Sequence, residues 1–261
     1  MATKLEGAES TRHTASSDLQ LEFRNKLWQT FREAPLSEPE LERSLGLFIR
    51  GSLLARFLAT SDVYRRIVHL PGHIFDLGCW RGQGAVLCEN LRAIYEPLNK
   101  RRRVICFDTF EGYSGLSEHD KPSESFHEKS YSVGKPYAGF LRKLLELHEG
   151  NNALPHLRGM HRVVEGDASE SVNRYLKENP GTLLALAFFD VDLYQPTREV
   201  LSRILADRTL VPGAVLAFYQ LTADETLPGD AIAFKEVIGA RKFSIERSSF
   251  YPSLTIVTML E

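Results

Sequence analysis

The chain has 261 residues, 43% hydrophobic and 25% charged, which is the composition of a folded globular domain and excludes a disordered or fibrous chain. Lys and Arg number 32 against 34 Asp and Glu, so the net charge of −2 provides no broad positive field for a phosphate backbone, and nucleic acid is not expected as a partner. No run approaches the roughly 18 apolar residues of a membrane span, and the polar start MATKLEGAESTRHTASSDLQ lacks the apolar core of a signal peptide, so neither membrane insertion nor secretion is expected.

Residues 1–20 read as an irregular tail by composition. Residues 21–70 read as a helical extension, with Leu45, Leu47, Phe48, Leu53, Leu54 and Phe57 at near-helical intervals and a break over Pro35 to Pro39. The apolar set between Leu45 and Leu70 requires burial, and the N-terminal helices are expected either to cover the functional crevice or to mediate self-association as a homodimer. Pro71-Gly72 marks a turn that opens the main domain, 71–261.

In that domain short apolar runs alternate with helical segments, the βαβ pattern of a doubly wound parallel sheet. The runs are 73–77, 104–108, 161–165, 183–189 and 214–218, with helices expected near 84–95, 137–149, 169–178, 196–205 and 231–238. Segments 242–247 and 253–260 close the pattern as two antiparallel strands, giving seven in all. Residues 111–136 lack periodicity, and long irregular segments of this kind commonly serve as lids. Within it, His119 and His127 read as solvated side chains. The basic run Lys100-Arg101-Arg102-Arg103 reads as a solvated turn. Cys79, Cys88 and Cys106 have neither metal-ligand spacing nor the even count of a disulfide framework, which fits a reducing cytoplasm.

Four of the strands end in polar residues: Asp76 with Gly78, Asp108 with Thr109, Gly166 with Asp167, and Asp190 with Asp192. Ligands of open α/β sheets bind outside the carboxyl ends of the strands, so these positions are expected to converge on one crevice. The first loop, Asp76-Leu77-Gly78-Cys79-Trp80-Arg81-Gly82, has glycines for close backbone approach and leads into a helix N-terminus. Its spacing is not that of a dinucleotide fingerprint, and Asp108 lies about thirty residues beyond Gly78 rather than about twenty. A carboxylate at the end of the second strand can accept hydrogen bonds from both hydroxyls of a ribose.

These residues resemble the macrocin O-methyltransferase (TylF-like) family of S-adenosylmethionine-dependent methyltransferases. The resemblance rests on Asp76-Leu-Gly-Cys-Trp-Arg-Gly82, Phe107-Asp-Thr-Phe-Glu-Gly112, Gly166-Asp-Ala168, Phe189-Asp-Val-Asp-Leu-Tyr194 and Val211-Pro-Gly213, and covers roughly residues 45 to 260. It implies a Rossmann-like methyltransferase sheet and a cytoplasmic enzyme of natural-product biosynthesis that methylates oxygen or nitrogen of a small polar, sugar-like acceptor. It also implies that the Asp76 to Gly82 loop holds the methionine end of the cofactor, Asp108 the ribose, and Asp167 with Ala168 the adenine, with Phe110 close by. The candidate cofactor residues are thus Asp76, Gly78, Trp80, Arg81, Gly82, Asp108, Thr109, Phe110, Gly166, Asp167, Ala168 and Asp190.

In the family the first acid after strand four, here Asp190, is typically a magnesium ligand, joined by two consecutive acids at the end of strand five. Those positions fall on Tyr219 and Gln220, which supply no anionic oxygen for a hard cation, so no catalytic metal is expected. Asp190 and Asp192 are then candidates to orient or deprotonate the acceptor, with Tyr219 and Gln220 hydrogen-bonding it from the opposite wall. The plain alternatives are a helix cap for Asp192 and a buried ring for Tyr219. Two other functions stay open: a module that binds the cofactor without turnover, and a nicotinamide-dependent reductase, against which the glycine spacing argues.

Overall fold

The computed structural model describes residues 17–113, 115–120, 127–152, 156, 158–206, 208–221 and 229–260. Seven strands form one sheet in the order β3-β2-β1-β4-β5-β7-β6. They are β1 (His73–Leu77), β2 (Val104–Asp108), β3 (Arg162–Glu165), β4 (Leu184–Phe189), β5 (Leu210–Phe218), β6 (Phe243–Arg247) and β7 (Thr255–Met259). The first five are parallel, and β7 runs antiparallel to both β5 and β6.

Every residue of β4 is buried, as its unbroken Leu-Ala-Leu-Ala-Phe-Phe run requires of a strand covered on both faces. Side chains alternate between two apolar layers. Ile74, Cys106, Ala185 and Ala217 pack with helices α3 (Gly51–Ile67), α4 (Gln83–Tyr95) and α5 (Tyr137–Asn151). Phe75, Ile105, Ala187 and Phe218 pack with α6 (Ala168–Glu178), α7 (Tyr194–Ala206) and α8 (Gly229–Ile238). Phe75, Phe107 and Tyr175 meet edge to face with centroids 5.0 to 5.8 Å apart, and burying each such ring stabilises the fold by ~1.5–3 kcal/mol. Strand order reverses between β1 and β4, which run in register from Ile74 and Leu186 to Leu77 and Phe189. Their carboxyl ends therefore open one crevice.

The structure corrects several expectations. Helix α1 (Asp18–Arg32) begins within the expected tail, because Ser17 and Gln20 form a capping box; residues 1–16 lie outside the described residues. The Pro35 to Pro39 break is shorter than expected, since Pro39 is tolerated in the first turn of α2 (Glu38–Arg43), and a short 3-10 turn (Leu45–Phe48) leads on to α3. The apolar set of the extension divides: Ala59, Val63, Tyr64 and Ile67 of α3 enter the core, while Leu45, Leu47, Leu54 and Leu58 remain exposed. Strand β5 starts four residues early, and a register shift accommodates Pro212-Gly213 between its two halves.

The basic run is not wholly solvated. Arg102 is buried, its guanidinium bonded to both carboxylate oxygens of Glu96 at 3.0 Å and to the carbonyls of Ile67 (2.9 Å) and Leu70 (2.8 Å). It closes the carboxyl end of α3 and ties it to β1 and β2. Among the described residues, no helix is long and apolar enough to cross a membrane.

Candidate active site

The carboxyl ends of β1 to β5 border a cavity of about 470 Å³, within the range of small-molecule sites. Gly78, Trp80, Asp108, Thr109, Gly166, Asp167, Ala168 and Asp190 of the cofactor set line it, as do Asp192, Tyr219 and Gln220 of the acceptor set. Asp76, Arg81, Gly82 and Phe110 do not belong to its lining. Asp76 lies beneath the first loop at the start of α4, and burial with the nearby Asp190 raises its carboxyl to about 7. Arg81 stacks its guanidinium on the Trp80 ring at 4.2 Å. Phe110 is buried in the core beside Tyr137 of α5.

Two glycines of the first loop serve different contacts. A Cβ on Gly78 would fall 2.2 Å from the Asp190 carbonyl oxygen, so its absence lets β1 and β4 close on each other. A Cβ on Gly82 would meet Leu141 of α5 at 2.2 Å, so that glycine serves helix packing. Both have φ of 74°, a conformation costly for other residues.

Asp108 accepts from the backbone N–H of Trp80 through Oδ2 and from that of Phe110 through Oδ1, each at 2.6 Å. These bonds bind the first loop to the end of β2 and leave lone pairs on both oxygens. Burial raises its carboxyl pKa, and the two N–H donors oppose the rise. Asp167 caps α6, its side chain accepting from Ser169 and Glu170 N–H, so its carboxylate is partly committed to the helix. The indole Nε1–H of Trp80 is buried without a protein partner, a donor available to a ligand.

On the acceptor side Asp192 is buried with φ of 58°, and its Oδ2 accepts a short hydrogen bond from the Tyr113 hydroxyl. Its Oδ1 has no partner. Burial, then the neighbouring Asp190, raise this carboxyl to about 7, while the Tyr113 bond opposes them. It does not cap a helix as the plain reading had it, since α7 starts at Tyr194, whose N–H bonds to Asp120 instead. Trp80, Tyr131 and Asp192 all line the cavity with positive φ, and strained non-glycine backbone concentrates at functional sites.

Asp190 pairs with Arg56 of α3 at 2.8 Å, and that guanidinium lies 4.4 Å above the Tyr219 ring. Burial pushes the Asp190 carboxyl up, with the Arg56 ion pair opposing it. The end of β5 thus presents a phenol and an amide, and among the described residues no group of three His, Cys, Asp or Glu could hold a metal ion. Among the described residues, the groups at the ends of β4 and β5 do not fit the magnesium site that the family pattern implies.

Arg56, Tyr113, Tyr131 and Tyr251 are cavity residues that the sequence pattern does not single out. Tyr113 and Tyr131 belong to the long irregular segment, which is tied back by Lys129 N–H to Tyr113 O (2.9 Å) and Tyr113 N–H to Ser130 O (3.2 Å). Residues 114 and 121–126 of that segment lie outside the described residues. The His119 ring lies 4.2 Å from that of Tyr194, and His127 Nδ1 is 3.1 Å from Ser130 Oγ; neither lines the cavity. His161 is buried among Glu89 (2.9 Å), Glu149 (3.6 Å) and the Val104 N–H (3.0 Å).

No family model and no curated protein matches the chain. Among solved structures it is similar to the calicheamicin methyltransferase CalS11, with 30% identity over 98% of this chain and 99% of that one and a TM-score of 0.88. An apo structure of CalS11, described as a TDP-rhamnose 3'-O-methyltransferase of calicheamicin biosynthesis, matches with 31% identity over 94% of this chain and 96% of that one and a TM-score of 0.80. The O-methyltransferase NovP, at 16% identity over 94% and 99% of the two chains and a TM-score of 0.56, shares the fold. The chain belongs to the macrocin O-methyltransferase (TylF-like) family of S-adenosylmethionine-dependent methyltransferases.

Proposed function

We propose that this enzyme methylates a hydroxyl of a sugar-like natural-product metabolite, with Asp192 as the base and without a catalytic metal. The observation that carries the reading is that a single cavity is lined both by the strand-end residues suited to the cofactor and by Asp192, Tyr219 and Gln220. Methyl transfer is an in-line displacement, and a shared cavity lets acceptor and donor align without intervening water. The acceptor class is taken from CalS11, whose described substrate is a rhamnose carried on TDP.

When bound, S-adenosylmethionine supplies an electrophilic methyl carbon on a sulfonium sulfur. Asp108 accepts hydrogen bonds from the ribose hydroxyls through the lone pairs left by Trp80 and Phe110 N–H. Gly78 and the orphaned Trp80 Nε1–H attend the methionine end, and Gly166, Asp167 and Ala168 border the adenine. Asp192 Oδ1 takes the acceptor proton, in a carboxylate whose basicity burial has raised toward neutrality. Tyr219 and Gln220 orient the acceptor from the opposite wall.

The enzyme works in the reducing cytoplasm, a reading supported by three unpaired, buried cysteines, and a net charge of −2 argues against a nucleic-acid partner. It forms a homodimer through α1, where Leu19, Phe23 and Trp28 are each about 60% exposed. Light scattering of the full chain should give twice the monomer mass, and Phe23→Glu with Trp28→Glu should halve it; a monomeric wild type counts against the dimer. The function itself is tested by calorimetric titration with S-adenosylmethionine, then by transfer of a labelled methyl group to nucleotide sugars. Micromolar binding and methyl ether formation are expected, and no binding by the folded protein would overturn the reading.

A further inference from the structure

Among the described residues that line the cavity, Arg56 is the only cation. It comes from α3, outside the strand-end loops, and is 134 positions from Asp190 in sequence. Its Nη2 donates to Asp190 Oδ2 at 2.8 Å, and its Cζ lies 4.4 Å from the Tyr219 ring centroid. Asp190 follows β4 and Tyr219 follows β5, the two strand ends at which the family pattern places its magnesium ligands. A guanidinium therefore joins the ends of β4 and β5, where the family pattern places its magnesium ligands.

We infer that Arg56 is the built-in cation of this site, standing where the family pattern calls for a metal ion and positioning both Asp190 and Tyr219 against the acceptor. The chemistry of the contacts favours arginine over magnesium. A hydrated magnesium ion requires near-octahedral oxygen ligands and loses water reluctantly, whereas here one Asp190 oxygen is already engaged. Tyr219 meets the charge with its ring face, a contact suited to a planar, weakly hydrated guanidinium. Arginine also stays charged throughout the physiological range, so the site carries its positive charge without drawing on a pool of metal. The Arg56 side chain keeps 31% of its surface exposed and has donors beyond the one given to Asp190.

The catalytic part of this inference rests on the methyl-transfer reading; the binding part does not. Manganese titrated into the full-length protein, with the free ion followed by electron paramagnetic resonance, should show no uptake. Micromolar uptake that magnesium displaces and Asp190→Asn abolishes would overturn the assignment. Arg56→Gln should lower kcat by about 10²-fold, the usual effect of removing one preorganised donor, while leaving affinity for S-adenosylmethionine unchanged by calorimetry. Arg56→Lys, which keeps the charge but not the planar fork, should recover activity to within about tenfold of wild type. Wild-type turnover in folded Arg56→Gln would also overturn it. Should Arg56→Gln fail to fold, the lysine variant and the manganese titration still decide. If the wild type neither binds S-adenosylmethionine nor transfers methyl, the functional reading fails while manganese still judges the cation.

Discussion

Asp192→Asn separates the base from the scaffold, because it removes the charge while keeping the size and the Tyr113 contact. The Asp192 carboxyl rises from an ordinary 3.8 to about 7, chiefly through burial. A group whose pKa is raised in the fold holds its proton more tightly when folded. Its favourable contribution is complete below pH 3.8 and is lost as pH rises through about 7. The gap, at ~1.4 kcal/mol per pH unit, sets a ceiling of ~4 kcal/mol on what the ionised carboxylate costs the native state at pH 8. Water in the open crevice lowers the cost to ~1–3 kcal/mol. Asn carries no charge at any pH, so the variant should melt above wild type at pH 8 by ~3–8 °C, with a smaller difference at pH 5. Asp76, also raised to about 7, contributes similarly to both proteins and largely cancels in the comparison. Activity should move the other way. Loss of a general base costs ~10²–10⁴-fold in kcat, and wild-type kcat/KM should rise with pH up to about 7 and then level off. Thermal melts from pH 5 to 8, paired with methyl-transfer rates, test both halves. A stability difference independent of pH, together with near wild-type turnover, would refute the assignment of Asp192 as a buried base.

Asp108→Ala removes the acceptor of two loop N–H bonds and the proposed ribose ligand, so affinity for S-adenosylmethionine should fall at least about tenfold by calorimetry; unchanged affinity would exclude the ribose role. Gly78→Ala places a methyl group 2.2 Å from the Asp190 carbonyl oxygen at a φ of 74°, and should yield little soluble protein in an expression trial. Arg102→Ala strands Glu96 and opens the end of α3. It should cost ~3–5 kcal/mol in urea unfolding, whereas a loss under ~1 kcal/mol would mean that water replaces the guanidinium. Burial pushes Glu89 up, but Arg92 and His161 more than offset it and hold the carboxyl down to about 2. Its contribution is therefore present above pH 4.5 and lost as pH falls toward 2, and Glu89→Gln should flatten that part of an acid-denaturation curve.

Much of the sheet is legible in sequence because strands covered on both faces are unbroken apolar runs, and four of those runs end in acids or glycines that mark the crevice. Helix starts are less legible. Gln83, Ala168 and Tyr194 each begin a helix slightly earlier than periodicity indicates, because hydrogen bonds of the preceding loop decide where the first turn closes. The glycines of the first loop stand out in sequence, yet which neighbour each one admits depends on the approach of β4 and α5.

The sequence by itself determined the strand-end acids, the doubly wound topology and the Tyr219-Gln220 pair that directly follows β5, since each is written in a few adjacent residues. Tertiary structure alone decided that Arg56 meets Asp190 and Tyr219, that Tyr113 bonds to Asp192, and that Arg102 is buried rather than solvated. The physical reason is distance along the chain. Arg56 and Asp190 are 134 residues apart, and Tyr113 and Asp192 are 79 apart. No local periodicity encodes such a meeting, and a charged side chain in a polar stretch looks solvated until the fold brings a carboxylate or a helix end against it.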